Sequence, residues 1–371
     1  MGGSDHLINE HKMTTLSRHK RFAANDLSAF IAAAFTAAGV PRDDAMRAAH
    51  LMTEADLVGA DAHGIFRLPQ YIERMQAGGI NSRPAITVTR TAPATARVDG
   101  DNGLGALVVA RAAETAIEMA RETGVAWVGV RGSNHAGAAS VYAALPMAAG
   151  MIGIYSAVAS ANHMAPWGGT DLLLGTNPIA IAVPLGPDAD PVVIDMATTV
   201  VSYGTVKNYA LTGRAMPEGW MIDRTTGAPL TDAAASANGV LLPIGDYKGA
   251  GLALVLGLLA GTLNSAAMGA DVVDFNADTT TVTNTGQFIL ALDIARFLDP
   301  VQFAAETQRH LEELRRSARL PGFDRIRLPG DDRAIRRRDR AGNGIPLSPQ
   351  VSARLNALAA RLAIAPLAGA E

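Results

Sequence analysis

The chain has 371 residues, 49% of them hydrophobic and 18% charged, which is enough apolar material for two domains or one large domain and excludes a disordered chain. Its net charge of −3, without a dominant acidic or basic block, argues against a dedicated nucleic-acid binder. The absence of cysteine excludes disulfides, thiolate metal sites and cysteine nucleophiles, and it fits the cytoplasm, where we expect this protein.

Residues 1–12 (MGGSDHLINEHK) are polar and precede a second methionine, Met13. This composition predicts a tag or disordered leader, so we give no functional weight to His6 and His11. No secretory signal is visible, and the longest apolar runs, such as residues 252–263, are too short to span a bilayer. We therefore expect no membrane partner.

The first part of the chain is predicted to be helical. Asn25 and Asp26 can cap a helix that stops at Gly39, and Pro41 opens a second helix whose apolar residues follow helical spacing. Residues 59–64 then form a sharp connection, because a glycine lies at each of its ends.

The centre of the chain predicts a sheet accompanied by helices. Residues 86–98 alternate in part and are rich in threonine and valine, which indicates a strand. Further strands are predicted over residues 125–130, 151–159, 178–183, 192–194 and 286–294. The strands that follow residue 150 leave little room for crossover helices, which implies a substantial antiparallel component.

Helical patterns cover residues 103–122, 138–147, 200–211, 248–263, 300–319 and 348–362. The helix over residues 248–263 is apolar on all sides, which predicts that it is buried. Residues 213–238 are predicted to be a turn-rich excursion. The basic run over residues 333–340 is interleaved with Asp339, a pattern typical of a solvated face.

Three histidines lie in turns rich in glycine or proline. His135 lies in the turn over residues 132–138, between a predicted strand and a predicted helix, where free backbone N–H groups can meet an anion and the imidazole can titrate. His63 and His163 occupy comparable turns. Each alone is compatible with a structural histidine, but three together favour a site, because functional residues concentrate on loops held by rigid elements.

The phosphate-binding signatures of the common nucleotide folds are absent. No Gly-x-Gly-x-x-Gly follows a predicted strand, which disfavours a Rossmann domain, and no histidine and carboxylate cluster has metal-ligand spacing, so we expect no metal. Asp195 could cap the next helix or bind a ribose hydroxyl, and the residues leave both open. Lys248 lies at a helix start, where the dipole disfavours a cation, which indicates an anion nearby.

The ordered motifs resemble one family. They are ADAHGIFRLPQY, GSNHAGAASVY, MAPWGG, GTNPIAIAVP, VIDMATT, MPEGW, IGDYKGAGLAL, LPGD and GIPL, between about residues 25 and 350. Each motif is weak alone. The set resembles the malate/L-lactate dehydrogenase family of the non-Rossmann type, which also contains ureidoglycolate, sulfolactate and 2,3-diketogulonate oxidoreductases and a cyclic-imine reductase.

The resemblance implies hydride transfer between NAD or NADP and a small 2-oxo or 2-hydroxy acid, or its imine analogue. His135 would be the general acid/base, and an imidazole near its ordinary pKa would suit both directions. Arg67 would bind the substrate carboxylate in a bidentate manner, with Tyr71, His163 and the catalytic-pocket His63 beside it. The residues matched to cofactor contacts are His63, Asn177, Asp195, Met196, Ala197, Lys248, Pro329 and Gly330.

The resemblance also implies an α/β (α+β) fold with two domains. Residues 85–294 would form a non-Rossmann, NAD(P)-binding domain around a mixed, largely antiparallel sheet. Residues 13–84 would join residues 295–371 in a helical domain. Relatives are typically dimers, so a homodimer is expected by analogy.

Two departures leave the substrate open. Ala62 stands where the family commonly has serine, and the position of His163 varies among relatives and can be lysine. Three hypotheses therefore remain: a dehydrogenase of small 2-hydroxy acids, a reductase of cyclic imino acids, and a cofactor-binding homologue that has lost its chemistry.

Overall fold

The computed structural model describes residues 20–187 and 189–367. The predicted leader, with His6, His11 and Met13, lies outside the described residues. Within those two ranges the protein is a mixed α/β fold built around one seven-stranded sheet. None of their helices combines the length and the apolar character that crossing a bilayer requires.

The helices of the described ranges are Ala24–Ala37 (α1), Arg42–Leu57 (α2), Leu68–Gln76 (α3), Gly105–Thr123 (α4), Ala139–Ala143 (α5), Tyr203–Leu211 (α6), Tyr247–Ala260 (α7), Pro300–Arg315 (α8), Asp331–Asn343 (α9) and Pro349–Leu362 (α10). Helix α1 buries Leu27, Ile31 and Phe35, which recur every four residues on one face. Helix α4 ends at Gly124, as predicted, because this glycine adopts φ 82° in the left-handed region.

The strands are Lys20–Phe22 (β1), Thr87–Ala92 (β2), Thr95–Asp99 (β3), Val125–Ser133 (β4), Met151–Ala157 (β5), Asn162–Met164 (β6), Leu174–Gly175 (β7), Ile179–Val183 (β8), Val192–Met196 (β9), Met221–Asp223 (β10), Gly239–Leu241 (β11), Thr285–Asp293 (β12) and Ile345–Leu347 (β13). Seven of them form one sheet in the order β2-β3-β4-β12-β5-β8-β9. Only β3 and β4 run parallel in this sheet. The expectation of a mixed, largely antiparallel sheet is confirmed.

Alternate residues of the central strand β12 pack against different helices. Ile289 and Ala291 belong to the same apolar core as Val108 of α4, whereas Phe288 clusters with Leu256 of α7. Since successive side chains of a strand point to opposite faces, helices cover both faces at the centre of the sheet. The turn that carries His135 follows β4, which is the direct neighbour of β12.

The two ends of the described chain meet. Strand β1 pairs antiparallel with β13, and α1 and α3 both contact α10. Leu355 and Leu358 of α10 lie in the same core as Leu27 and Phe35 of α1. These contacts bring the N- and C-terminal helices together, while the division into two domains stays a prediction.

Two predicted elements are interrupted at a proline. Residues 86–98 form the hairpin of β2 and β3 and not one strand, because a turn at Pro93 and Ala94 separates them. The helix predicted over residues 138–147 ends at Ala143, and a 3-10 turn containing Pro146 follows. Proline lacks the N–H that a continuing helix needs and has a fixed φ, which explains the break in both places.

Three interpretations of the later chain were wrong or incomplete. Helix α7 is only partly buried, since Leu254, Val255 and Leu258 lie 44–51% exposed on one of its faces. The excursion contains β10, which pairs with β11 directly after the excursion, and its apolar residues share a small cluster with Val206 and Leu241. The basic run forms α9, and four arginines of its supposedly solvated face pair with carboxylates outside the helix: Arg333, Arg337, Arg338 and Arg340.

Candidate active site

The turn after β4 is held by a buried asparagine. Asn134 is fully buried, and its amide nitrogen donates to the carbonyl oxygens of Asn102 and Gly103 at 3.1 and 3.0 Å. Its side-chain oxygen accepts from the hydroxyl of Thr283 at 3.0 Å, and Gln287 of β12 donates to its backbone oxygen at 3.0 Å. The backbone immediately before His135 is therefore fixed by neighbours on three segments.

His135 lies among rings. The hydroxyl of Tyr71 is 2.7 Å from Nδ1 of His135, and the rings of His63 and Phe275 lie with their centroids 5.9 and 5.6 Å from its own. Burial, followed by the charges of Arg67 and His63, lowers the pKa of His135 well below its ordinary value of 6.5. The expectation of a pKa near the ordinary value was wrong, because desolvation and the charge of Arg67 both act on this ring.

His63 is also a neutral imidazole at pH 7. Burial, together with the charges of Arg67 and Arg333, lowers its pKa to about 4, while Asp195 acts in the opposite direction. The two stacked rings are therefore uncharged together, which avoids the repulsion of two imidazolium ions at this distance.

Arg67 ends the 3-10 turn before α3 and is held on one side only. Its Nε donates to the carbonyl oxygen of Ala62 at 3.0 Å, and its Nη1 donates to Gln70 at 2.9 Å and to Asn276 at 3.1 Å. Within the described ranges no group accepts from its Nη2. A guanidinium oriented in this way can offer its remaining donors to a carboxylate. Tyr71, one turn along, lies on the same side, as the spacing predicts.

The loop between α2 and α3 rests on a buried carboxyl group. Oδ2 of Asp56 accepts from the N–H of Ile65 at 2.8 Å, and burial raises the pKa of Asp56 to about 8. A Cβ on Gly64 would lie 2.0 Å from Oδ1 of Asp56, so this position has to be glycine. His63 and Arg67 lie on the two sides of this anchored pair.

His163 lies in β6 and stacks on Tyr203, the first residue of α6, with centroids 3.7 Å apart. The ammonium of Lys207 lies 5.3 Å from the Tyr203 ring. Burial and Lys207 lower the pKa of His163 to about 4, and Asp274 opposes this shift. A Cβ on Gly204 would lie 3.9 Å from that of Ala62, so the start of α6 faces the loop that carries His63.

The predicted cofactor residues occupy different settings. Asp195 accepts from the N–H of Ser140 in α5 at 3.0 Å and pairs with Arg333 of α9 at 3.1 Å. It thus caps a helix earlier in the chain and not the next one. Met196 and Ala197 follow at the end of β9, partly exposed.

Asn177, Lys248 and the Pro329–Gly330 turn complete that set. The Asn177 amide is buried, accepting from the N–H of Ala159 at 2.9 Å and donating to the carbonyl of Ala253 at 2.8 Å. Lys248 is exposed in the first turn of α7, and no described residue pairs with its ammonium. Pro329 accepts from the N–H of Val193 at 3.3 Å, and Gly330 precedes α9 with φ 102°.

The structure brings five further residues to this region that the sequence did not single out. They are Asp56, Gln70, Phe275, Asn276 and Arg333. Gln70 could have been found, because it lies between Arg67 and Tyr71 on the same helix. Asp56 lies a few residues before His63 and Arg333 lies in the basic run, but neither belongs to a motif, and Phe275 and Asn276 come from a distant segment without one. Within the described ranges, no group of three or more histidines or carboxylates could hold a metal ion.

Comparison with known proteins gives the same grouping as the motifs. Residues 22–356 match the family model described as malate/L-lactate dehydrogenase. Malate dehydrogenase of Pyrococcus abyssi is 35% identical over 351 residues, 93% of this chain and 95% of that protein. Ureidoglycolate dehydrogenase (NAD(+)) of Escherichia coli (strain K12) is 33% identical, with 84% of this chain and 87% of that protein covered. (2R)-3-sulfolactate dehydrogenase (NADP(+)) of Chromohalobacter salexigens is 36% identical, with 88% and 94% covered.

Solved structures are similar over almost the whole chain. Malate dehydrogenase from Pyrococcus horikoshii superimposes with a TM-score of 0.85 at 32% identity, covering 94% of this chain and 97% of that one. Delta1-piperideine-2-carboxylate reductase from Pseudomonas syringae superimposes with a TM-score of 0.80 at 28% identity, covering 91% and 99%. The similarity therefore extends to the elements that carry all the residues described above.

Proposed function

We propose, from the premise that this chain belongs to the malate/L-lactate dehydrogenase family, that it is an NAD- or NADP-dependent oxidoreductase of small 2-hydroxy and 2-oxo acids. The observation that carries the proposal is the hydrogen bond of Tyr71 to His135 beside a guanidinium with free donors, that of Arg67. A group for proton transfer and a group for a carboxylate thus lie close together.

The proposed reaction requires one proton at the substrate oxygen. His135 would donate this proton during reduction of the carbonyl and accept it during oxidation of the hydroxyl. Because Nδ1 is bonded to Tyr71, the other ring nitrogen is the one available to the substrate. Burial raises the pKa of Tyr71, so its hydroxyl stays protonated and can donate to or accept from either tautomer of the ring.

A bound carboxylate would change the charge around His135. Arg67 lowers the pKa of that imidazole while its own charge is uncompensated. A substrate carboxylate on Arg67 would offset this charge and raise the pKa of His135 toward the range where an imidazolium can act as a donor. Substrate binding would thus prepare the proton donor.

The chain offers groups that fit a nicotinamide dinucleotide. The hydroxyl of Thr198, next to the Asp195–Ala197 stretch, is buried and has no hydrogen-bond partner in the described ranges, and the ammonium of Lys248 is exposed. The nicotinamide, when bound, supplies or accepts the hydride. We propose that the residues holding the dinucleotide are His63, Asn177, Asp195, Met196, Ala197, Lys248, Pro329 and Gly330.

Two alternatives are kept. The similarity to a solved piperideine-carboxylate reductase favours a cyclic imino acid as a second candidate substrate, since an imine beside a carboxylate could use the same proton donor and arginine. The other alternative is a homologue that binds cofactor without turnover, for which the only motivation is Ala62 in place of serine.

A substrate panel tests the proposal. Oxidation of NADH and of NADPH is measured with pyruvate, oxaloacetate, glyoxylate and other 2-oxo acids, and with five- and six-membered cyclic imino acids. The proposal predicts turnover with at least one 2-oxo acid. Turnover with imines alone would replace it by the second candidate. Dinucleotide binding without turnover on any compound would favour the non-enzymatic homologue.

We also propose that the chain forms a homodimer and works in the cytoplasm. Helix α8 buries none of its residues. Val301 in this helix is 77% exposed, and Phe297, just before the helix, is 70% exposed. The exposed apolar face of α7, with Leu254 and Val255, is a second such surface. A second copy would cover both. Light scattering after size-exclusion chromatography should give twice the chain mass of 38.5 kDa, and the single mass would contradict the dimer.

A further inference from the structure

Arg74 is a buried cation that has no ion pair in the described ranges. Its side chain is 0% exposed and extends from the last turn of α3, one turn beyond Tyr71. Its guanidinium donates to four backbone carbonyls and not to a carboxylate. The acceptors are Gly79 at 3.4 Å, Phe275 at 3.5 Å, Thr281 at 2.7 Å, and Asp278.

A buried charge is costly to desolvate, so its partners indicate what it does. Three of the four carbonyls belong to one irregular segment, residues 275–281. This segment lies between the 3-10 turn Gly269–Asp271 and strand β12. Arg74 also lies over the ring of Phe275, 4.5 Å from its centroid. One guanidinium thus fixes the backbone of a segment more than 200 residues away.

The same segment contacts the proposed active site. Phe275 lies with its ring centroid 5.6 Å from that of His135 and 5.9 Å from that of Tyr71. Oδ1 of Asn276 accepts from Arg67 at 3.1 Å and from Gln70 at 3.2 Å. The segment therefore supplies one wall of the His135 ring cluster and one of the acceptors that orient Arg67.

The approach of the segment to α3 is close. A Cβ on Gly79 would lie 2.2 Å from the carbonyl oxygen of Thr279, so only glycine allows this contact without a shift of the backbone. A second observation, independent of Arg74, therefore shows that the segment and the end of α3 fit each other as one unit.

We propose that Arg74 is a positioning residue that holds residues 275–281 and, through Asn276, sets the orientation of Arg67. The inference rests on the proposed function, because it assigns Arg67 to the substrate. A lysine at this place would keep the charge, but its single ammonium cannot reach four carbonyls with the planar geometry of a guanidinium. Arg74→Lys would therefore disturb the orientation of Arg67 and leave the proton transfer at His135 intact.

A double-mutant cycle on KM tests this route. With the best 2-oxo acid of the panel, Arg74→Lys and Asn276→Ala should each raise KM by about 10-fold and change kcat by less than about 3-fold. The double variant should be no worse than the more affected single variant, since both changes remove the same contact with Arg67. A double variant whose KM increase equals the product of the two single increases would overturn the proposal, as would an unchanged KM in Arg74→Lys. Arg90→Lys, an exposed arginine on β2, is the matched control.

Hydrogen exchange measures the holding role without any turnover. The amides of residues 275–281 should exchange faster in Arg74→Lys and in Gly79→Ala than in the wild type, with no change in Asn276→Ala. Unchanged exchange in Arg74→Lys overturns the proposal. If Arg74→Lys does not fold, the KM of Asn276→Ala decides, because an unchanged KM there overturns the route from the segment to Arg67. If the wild type turns over no panel compound, the proposed function fails, and this measurement still decides whether Arg74 holds the segment.

Discussion

The substrate side and the dinucleotide side of the proposed site differ in how many of their polar groups are already bonded. On the substrate side, Tyr71 is bonded to His135, and Arg67 is bonded to Asn276 but keeps donors free. On the other side, Asp195 is bonded to Arg333, while Lys248 is exposed without a partner in the described ranges. If the proposed function holds, the first side is preorganised for a small acid. The second has few free side-chain donors, so we expect backbone groups and Lys248 to hold most of the dinucleotide.

The largest expected effect is at the proton donor. His135→Ala should lower kcat by about 10²- to 10⁴-fold, because a positioned acid/base group contributes that much. Steady-state kinetics on the best panel substrate measures it, with His50→Ala, an exposed histidine of α2, as control. Near wild-type turnover in His135→Ala would show that the substrate side does not supply the proton there.

The next effect concerns the carboxylate. Arg67→Lys should lower kcat/KM by about 10²-fold, mostly through KM, because lysine cannot reproduce the fork that bonds to Ala62, Asn276 and a carboxylate at once. Arg83→Lys is the control, because it makes the same substitution at an exposed arginine. A loss confined to kcat, with KM unchanged, would contradict the assignment of Arg67 to substrate binding.

Two variants on the dinucleotide side compare Lys248, which is exposed, with Asp195, which is bonded to Arg333. Lys248→Ala should raise the Kd for dinucleotide by about 5- to 10-fold, the range of one exposed charge contact, and leave Tm unchanged. Asp195→Asn should lower Tm by about 2 °C or more, because it breaks a partly buried pair with Arg333 and a helix cap at Ser140. Dinucleotide binding and thermal unfolding measure both. The reverse pattern would mean that the two residues have exchanged these roles.

The sequence predicted the residues of the substrate side better than the residues that hold them in place. His63, Arg67 and Tyr71 are close in the chain, so helical spacing already places the last two on one face, and the turn of His135 follows a recognisable strand. Phe275 and Asn276 come from a segment without regular structure, held by contacts that are more than 200 residues apart. No local pattern can predict such contacts.

The fold shows the same limit. The main helices, the strands of the large sheet and its antiparallel character follow from local periodicity and short connections. The exposed face of α7 could not be predicted, because a helix that is apolar all round carries no signal for which face is covered. The pKa of His135 was also out of reach, since it depends on burial and on Arg67, both of which are tertiary.

The smallest effect is expected at Asp56, beneath the loop of His63, and it concerns stability. The pKa of Asp56 is about 8 in the folded chain against 3.8 for an ordinary aspartate, so between these values the folded state holds the proton that the unfolded state has lost. Stability from this group is complete below pH 3.8 and is lost as the pH rises through 8. Asp56→Asn removes this dependence, so its Tm should fall less between pH 5 and pH 8 than that of the wild type.

Asp43→Asn, at an exposed carboxylate in the first turn of α2, is the control for Asp56→Asn. It should keep the wild-type dependence of Tm on pH. An equal fall of Tm in Asp56→Asn and in the wild type would mean that the carboxyl group beneath the loop is ionised at neutral pH.

The most direct test of the account is the pH dependence of kcat/KM for oxidation of the 2-hydroxy acid, which reports the pKa of the base in the free enzyme. In the proposed mechanism neutral His135 is the base, so kcat/KM should rise through a pKa below 6.5 and stay flat above it. Arg67→Met should move this rise upward toward 6.5, because a charge that disfavours the imidazolium is gone, while Arg67→Lys should leave it in place. A wild-type rise at or above 6.5, or no upward shift in Arg67→Met, would contradict a His135 whose pKa is lowered by burial and by the charge of Arg67.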